Sequence, residues 1–253
     1  MGKQTEFEVE ALVDMAQQLR ALGAQVDHMD GAAAAFSYVR IADLVRSVWV
    51  SEGMPQSWTI LDWGCGYGQV SWLLRRRGLT VISCDVGRRR APESWPDLSL
   101  NVVYIEHPVQ LPYDAGSFAA VLSVGVLEHV TDIEGSLREL SRILRPGGLL
   151  FVFMFPNRFS WAEWVADLRH RSVHPNKYTF RQTCRILSEQ GFAIERKWRR
   201  NFLPRNLTGF SPKLKRLYGR WYREIESLDK PLSKMPPTSF LSGVLEVIAR
   251  KYV

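Results

Sequence analysis

The sequence predicts an α/β protein built on a doubly wound, mostly parallel sheet, and three observations carry that expectation. The stretch Ile60-Leu61-Asp62-Trp63-Gly64-Cys65-Gly66-Tyr67-Gly68 is an apolar strand ending in a carboxylate, followed by glycines at alternate positions and then a helical pattern. Alternating glycines let the main chain turn with no β-carbon in the way, so a ligand can lie on the N–H groups that open the next helix. Strand-type and helix-type patterns then alternate along the chain, as parallel strands joined by crossover helices require. A second strand, Thr80-Val81-Ile82-Ser83-Cys84-Asp85, ends in an acid 23 positions after Asp62, at the strand end where such sheets grip a ribose diol.

The elements follow in order. Residues 6–28 carry apolar groups at near-helical spacing until Asp30-Gly31, and a second helix is predicted over 33–50. Strands are expected at 59–62, 80–84, 101–105 and 119–124, with a crossover helix at 69–77 and a further helix over 133–144, closed by Pro146-Gly147. The apolar run 149–155 reads as a central strand. Thr179-Phe180-Arg181-Gln182 has capping-box form and opens a helix ending at Gly191, before strands at 192–198 and 240–250. The intervening 199–239 is long for a connection and reads as an insertion holding one amphipathic, cationic helix from Ser211 onward, with Leu214, Leu217, Tyr218, Trp221, Ile225 and Leu228 on one face.

Composition bounds the function classes. The 253 residues, 46% of them hydrophobic, suffice for one substantial core. The net charge of +7 is uneven: residues 1–157 carry 13 Lys/Arg against 18 Asp/Glu, and residues 158–253 carry 20 against 8. The basic third is also rich in Trp, Tyr and Phe, which suits phosphate groups or an anionic membrane face as well as a plain solvated surface. No apolar run is long enough to span a bilayer and no signal core is seen, so a cytoplasmic protein is expected, with peripheral contact to the inner membrane face as an option. Cys65, Cys84 and Cys184 show no zinc spacing and read as reduced thiols, and no metal site is expected.

The dinucleotide fingerprint would need glycine at 69, where the chain has Gln69, so nicotinamide and flavin are disfavoured. With its glycine loop and Asp85, the chain resembles the class I S-adenosylmethionine-dependent methyltransferases. Three further segments strengthen the resemblance: Leu111-Pro112-Tyr113-Asp114-Ala115-Gly116-Ser117-Phe118, Ser123-Val124-Gly125-Val126-Leu127-Glu128-His129-Val130, and Leu137-Arg138-Glu139-Leu140 leading to Leu144-Arg145-Pro146-Gly147-Gly148. It covers about residues 36–200, with every motif in order, and is nearest the broad small-molecule branch that includes quinone-biosynthesis methyltransferases. It implies a seven-stranded sheet of order 3-2-1-4-5-7-6 with helices on both faces, the last strand antiparallel. The implied layout is N-terminal helices capping the cofactor cleft (1–57), a methyltransferase domain (58–253) and a basic helical insertion or lid (199–239).

The resemblance implies S-adenosylmethionine as cofactor, released as S-adenosylhomocysteine, with Gly64, Cys65, Gly66 and Gly68 in a loop that approaches its methionine portion and ribose, Asp62 fixing that loop or the amino group, and Asp85, with Val86 beside it, taking the ribose hydroxyls. The adenine position departs from the family, which usually carries Asp where this chain has His107, preceded by Glu106. Likewise Ala119 replaces a usual Asp, and Ser123 is a candidate lining residue or a buried hydroxyl. His129, beside Glu128 just past the fourth strand, is the candidate base, since open parallel sheets bind ligands at that edge and imidazole titrates near neutrality. His174, expected on the same rim, is a second candidate. Tyr38, Arg40 and Tyr178 are read as packing residues. The acceptor is expected to be a small molecule, a glycan or a lipid-linked compound, with natural-product O- or N-methylation and a non-catalytic cofactor-binding module as alternatives. No base-reading motif or RNA-binding module is seen, which disfavours nucleic acid.

Overall fold

A computed structural model describes residues 2–24, 26–29, 31–86, 100–169, 174–205, 207 and 211–252. Asp30, which marks the break after the first predicted helix, lies outside the described residues. Two helices, α1 (Lys3–Ala21) and α2 (Ala32–Ser51), precede β1 (Thr59–Trp63), α3 (Gln69–Arg76), β2 (Thr80–Asp85), β3 (Val102–Tyr104) and β4 (Phe118–Val124). The chain continues through α4 (Ile133–Ile143), β5 (Leu144–Pro156), α5 (Trp161–Leu168), α6 (Phe180–Glu189), β6 (Phe192–Arg200), α7 (Pro212–Arg220), α8 (Tyr222–Leu232) and β7 (Val244–Lys251). The seven strands form one sheet of order β3-β2-β1-β4-β5-β7-β6. All pairs from β3 to β5 are parallel, while β7 runs antiparallel to both β5 and β6. The expected topology is observed.

Strand alternation divides the interior into two layers. Ile60, Ala120, Leu122, Leu149, Phe151, Phe153 and Ile248 face a core closed by α1, α2 and α3, in which Trp49 and Trp72 are fully buried. Leu61, Trp63, Val121, Leu150, Val152 and Val247 face the other, closed by Leu137, Leu140 and Ile143 of α4 and Leu187 of α6. Local signals fix the helix ends: Asp132 Oδ1 accepts the Gly135 N–H at 2.7 Å, and Thr179 and Gln182 form the expected capping box.

Four predicted boundaries move. The first helix stops at Ala21, because Gly23 takes φ +83° and its N–H turns back to Arg20 O at 2.9 Å; a 3-10 turn, Asp27–Met29, follows instead of more helix. The insertion helix is two helices meeting at Trp221, whose φ of −99° and ψ of 21° leave the α-helical region. Its apolar stripe stays largely outside the core: Leu214, Leu217, Trp221 and Leu228 are exposed and only Ile225 is buried. The last strand begins at Val244, since Thr238–Leu241 form a 3-10 turn. Finally, β5 begins at Leu144 and α5 was not anticipated.

Buried charge ties the outer elements to this frame. Glu246 of β7, 0% exposed, accepts from Arg40 Nη1 at 3.1 Å and from Trp198 Nε1 at 2.6 Å, joining α2, β6 and β7. Asp229 of α8 accepts the N–H groups of Asn201 and Leu203 at 3.1 and 2.8 Å and pairs with Arg205 at 3.0 Å, docking α8 beneath the loop after β6.

Candidate cofactor and acceptor site

The glycine loop sits between β1 and α3, at the carboxyl edge of the sheet. Gly64, Gly66 and Gly68 all have positive φ (70°, 58° and 82°), a region that L side chains enter only with strain. Their roles differ. A β-carbon on Gly64 would lie 2.6 Å from Val126 Cγ2, so this glycine is required by the close approach of the loop to the end of β4. A β-carbon on Gly66 would meet nothing nearer than the Gln69 side chain at 3.9 Å, so that glycine leaves open space above the main chain.

Asp85 closes the other side. Its Oδ2 accepts the Gly66 N–H at 2.6 Å and its Oδ1 accepts the Val86 N–H at 2.7 Å. Each carboxylate oxygen has a second acceptor position, so a diol can still be received in bidentate fashion. Asp62 lies behind the loop, not in it. It is 2% exposed, its Oδ2 accepts from Ser71 Oγ at 2.7 Å, and Ser71 Oγ lies 2.6 Å from Ser83 Oγ, a chain that locks β1, α3 and β2 together. Burial raises the Asp62 carboxyl to about 6, opposed by the Ser71 hydrogen bonds. Cys65 is buried with its N–H on Cys84 O at 3.0 Å, and burial pushes its thiol up, so it acts as packing.

The remaining cofactor candidates are placed unevenly. Ser123 is 1% exposed and its hydroxyl has no hydrogen-bond partner among the described residues. Glu106 and His107 are both exposed; the preceding Ile105 donates its N–H to Asp85 O at 2.8 Å, which brings this corner beside Asp85. Tyr113, which the sequence reading treated only as motif, has a buried hydroxyl without a partner among the described residues, and its ring meets Phe118 edge-on at 4.9 Å. Tyr38 is buried in the first core, Arg40 pairs with Glu246, and Tyr178 stacks on Phe155 at 5.4 Å.

The candidate acceptor residues lie on the turn after β4 and beyond β5. Glu128 is 3% exposed, and burial raises its carboxyl to about 7. His129 is exposed, and its ring centroid lies 5.6 Å from that of His174, so the two candidate histidines do meet. Asn176 joins their segments by donating from Nδ2 to Glu128 O and Val130 O, at 3.1 and 2.9 Å. His174 Nδ1 lies 3.0 Å from Glu163 Oε1, and Lys177 Nζ lies 3.0 Å from Glu163 Oε2. Burial disfavours the His174 imidazolium, but the Glu163 hydrogen bond and charge outweigh it and raise its pKa. Glu163 was missed because α5 was missed; the available signal was Ser160-Trp161-Ala162-Glu163, an S-x-x-E helix start, and Ser160 Oγ does accept the Glu163 N–H at 3.2 Å.

The sheet order with an antiparallel final strand, a glycine cradle after β1 and an acid ending β2 define a doubly wound protein built to hold a nucleoside at this edge. A family model described as a methyltransferase domain matches residues 17–197, and the chain belongs to that family, as a class I S-adenosylmethionine-dependent methyltransferase. It is 36% identical over 132 residues to a ubiquinone biosynthesis O-methyltransferase of Methylocella silvestris, covering 45% of this chain and 50% of that one. The chain thus spans about half the length of the curated relatives it matches. Among solved structures it is similar to a Galdieria sulphuraria protein described as a sarcosine dimethylglycine methyltransferase, with TM-score 0.60, 15% identity, 94% of this chain and 98% of that one covered. It is also similar to the [4+2]-cyclase SpnF, with TM-score 0.56, 19% identity and coverage of 87% and 82%. These two likenesses concern the fold.

The residues fit the family's cofactor. The open space above Gly66, the carboxylate of Asp85 and the unpartnered hydroxyls of Ser123 and Tyr113 offer what a nucleoside with a charged amino-acid tail would use. No helix among the described residues is long and apolar enough to cross a membrane.

Proposed function

We propose that the protein transfers a methyl group from S-adenosylmethionine to an oxygen of a small-molecule, glycan or lipid-linked acceptor. The observation that carries this reading is the Gly64–Val126 contact, which presses the cofactor loop against the turn that presents Glu128, His129 and, through Asn176, His174. The loop and the turn follow the carboxyl ends of neighbouring parallel strands, β1 and β4, the edge at which such sheets take their ligands. The bound cofactor supplies an already activated methyl on sulfur. The chain's task is therefore to hold the acceptor in line, where alignment alone supplies much of the acceleration. Gly64, Gly66 and Gly68 expose main chain to the methionine portion, Asp85 takes the ribose hydroxyls, and His129 and His174 meet the acceptor. An oxygen acceptor is favoured by the name of the Methylocella silvestris relative, a ubiquinone biosynthesis O-methyltransferase.

The exposed Leu214, Leu217, Trp221 and Leu228, with Lys213, Arg216 and Arg220 also exposed on α7, support a lipid-linked acceptor met at an anionic membrane surface. At about 1 kcal/mol per basic residue, such attachment is reversible. Removing residues 205–232 is expected to weaken sedimentation with anionic vesicles, and unchanged sedimentation excludes this surface.

Calorimetric titration with S-adenosylhomocysteine is the first test. Saturable binding is expected; absence of binding at high micromolar ligand would overturn the cofactor reading, and binding without methyl transfer to any acceptor would favour the non-catalytic module. A radiolabelled-methyl screen over glycan, lipid and phenolic extracts then identifies the acceptor.

A further inference from the structure

Glu128, His129 and His174 bring one carboxylate and two imidazoles together, each offering one ligand atom, with these atoms all within 4.8 Å of one another. Two of the three are neighbours in the chain, and the third arrives from beyond β5. The Asn176 side chain creates the meeting, its Nδ2 donating to the carbonyls of Glu128 and Val130.

Two further observations give the cluster a ligand. Glu128 Oε2 is buried with no hydrogen-bond partner among the described residues. A buried carboxylate oxygen without a donor costs several kcal/mol, and native proteins fill such positions with a proton donor, a water or an ion. The second is the bond between His174 Nδ1 and Glu163 Oε1. It occupies one ring nitrogen, fixes the ring and leaves Nε2 as the ligating atom, the arrangement by which a carboxylate orients a metal-binding histidine. The other charged groups packed on this corner are Lys177, 3.0 Å from Glu163 and 2.7 Å from Asp167, and Asp167 itself, so the one nearby cation among these groups is already engaged by carboxylates.

We propose that Glu128, His129 and His174 form a binding site for a divalent first-row transition cation on the acceptor side of the crevice, with Glu163 as the positioning residue for His174. Two nitrogens and one carboxylate oxygen, with positions left open, suit such a cation; calcium and magnesium prefer all-oxygen sets. At metal–ligand bonds of about 2.1 Å, adjacent donors stand about 3 Å apart, so rotation of the exposed His129 side chain closes the cluster onto an ion. The open positions would take an acceptor bearing oxygen donors, such as a pair of neighbouring hydroxyls. This last step rests on the proposed function; the metal site itself does not.

The test uses the full chain, stripped with chelator and titrated with Co2+ alone. Visible d–d absorption and calorimetry read the metal, and S-adenosylhomocysteine affinity is measured on the same samples. One equivalent of Co2+ is expected. His174→Ala and Glu128→Gln should each weaken it more than tenfold, and Glu163→Gln about 10- to 100-fold. Cys184→Ser should leave it unchanged and so exclude the half-exposed thiol as the site. S-adenosylhomocysteine affinity should stay within threefold throughout. Wild-type protein that binds S-adenosylhomocysteine yet gives no saturating Co2+ signal overturns the proposal, as does a signal that survives both His174→Ala and Glu128→Gln. If His174→Ala also loses the nucleoside, Glu163→Gln decides, since it lies on α5 away from the glycine cradle, and undiminished Co2+ affinity there overturns the assignment. Co2+ binding without nucleoside binding would leave the metal site standing and refute the cofactor reading.

Discussion

Asp85 Oδ2 accepts the Gly66 N–H at 2.6 Å, so the carboxylate proposed to take the ribose hydroxyls also shapes the glycine loop proposed to carry the methionine portion. Loss of either function should therefore appear in cofactor affinity. Hydrogen bonds to a charged group are worth about 1.5–3 kcal/mol each. Asp85→Ala is expected to weaken S-adenosylhomocysteine binding about 30- to 100-fold by calorimetry, and Asp85→Asn by about tenfold. An Asp85→Ala protein with wild-type affinity would remove Asp85 from the site.

Gly64 should be intolerant of any side chain. Alanine there brings left-handed strain of about 1–2 kcal/mol, and overpacking against Val126 of about 1–3 kcal/mol. Urea denaturation should show Gly64→Ala destabilised by about 2–5 kcal/mol. The double variant with Val126→Ala should recover the overpacking part only. Equal stability of the single and double variants would mean that the contact is not tight.

Glu246 is the fully buried acceptor for Arg40 and Trp198. Removing its charge leaves the Arg40 guanidinium, whose side chain is 17% exposed, without its hydrogen-bonded carboxylate and with only the charges of Glu226 and Asp229 to offset it. Breaking one side of a buried pair costs about 3–5 kcal/mol. Glu246→Gln should lose about that much in chemical denaturation. A loss below about 1 kcal/mol would show that water reaches Arg40 instead.

Asp62 predicts a pH dependence of opposite sign to the common carboxylate case. Burial raises its carboxyl from 3.8 to about 6, so the folded chain holds a proton that the unfolded chain has released. Its contribution is fully favourable below about 4 and is lost as pH rises through about 6, a swing of up to about 3 kcal/mol. Asp62→Asn stays neutral, so its stability relative to wild type should rise between pH 4 and pH 7. Parallel stability curves for the two proteins over that range would contradict the buried-acid account.

The sheet was legible because its signals are local. Apolar strands flanked by glycine turns at Gly64 and Gly191, and caps at Asp132 and Thr179, act within a few residues of where they are read. The boundaries that moved depend on less local effects. Leu22 and Val26 continue the apolar spacing of α1 beyond Ala21, but Gly23 enters the left-handed region and overrides it. The stripe Leu214–Leu228 has a helical period across a break at Trp221, which periodicity does not register. At the site, the glycines and Asp85 follow from strand ends. The convergence of His174 on His129 does not, since it depends on Asn176 reaching the carbonyls of Glu128 and Val130.

Between Val152 and Phe155 the β5–β7 register slips by one residue, and Met154 takes φ +60°. Before the slip, odd-numbered Phe151 and Phe153 face the layer under α2; after it, odd-numbered Phe155 faces the opposite layer, where Tyr178 stacks on it. Drawing Met154 into the regular pleat would turn Phe155 to the wrong side, so Tyr178 would lose its seat and the Asn157–Tyr178 bridge its register. Because Tyr178 lies four residues beyond His174, one supernumerary residue in a central strand governs whether the second imidazole arrives at all.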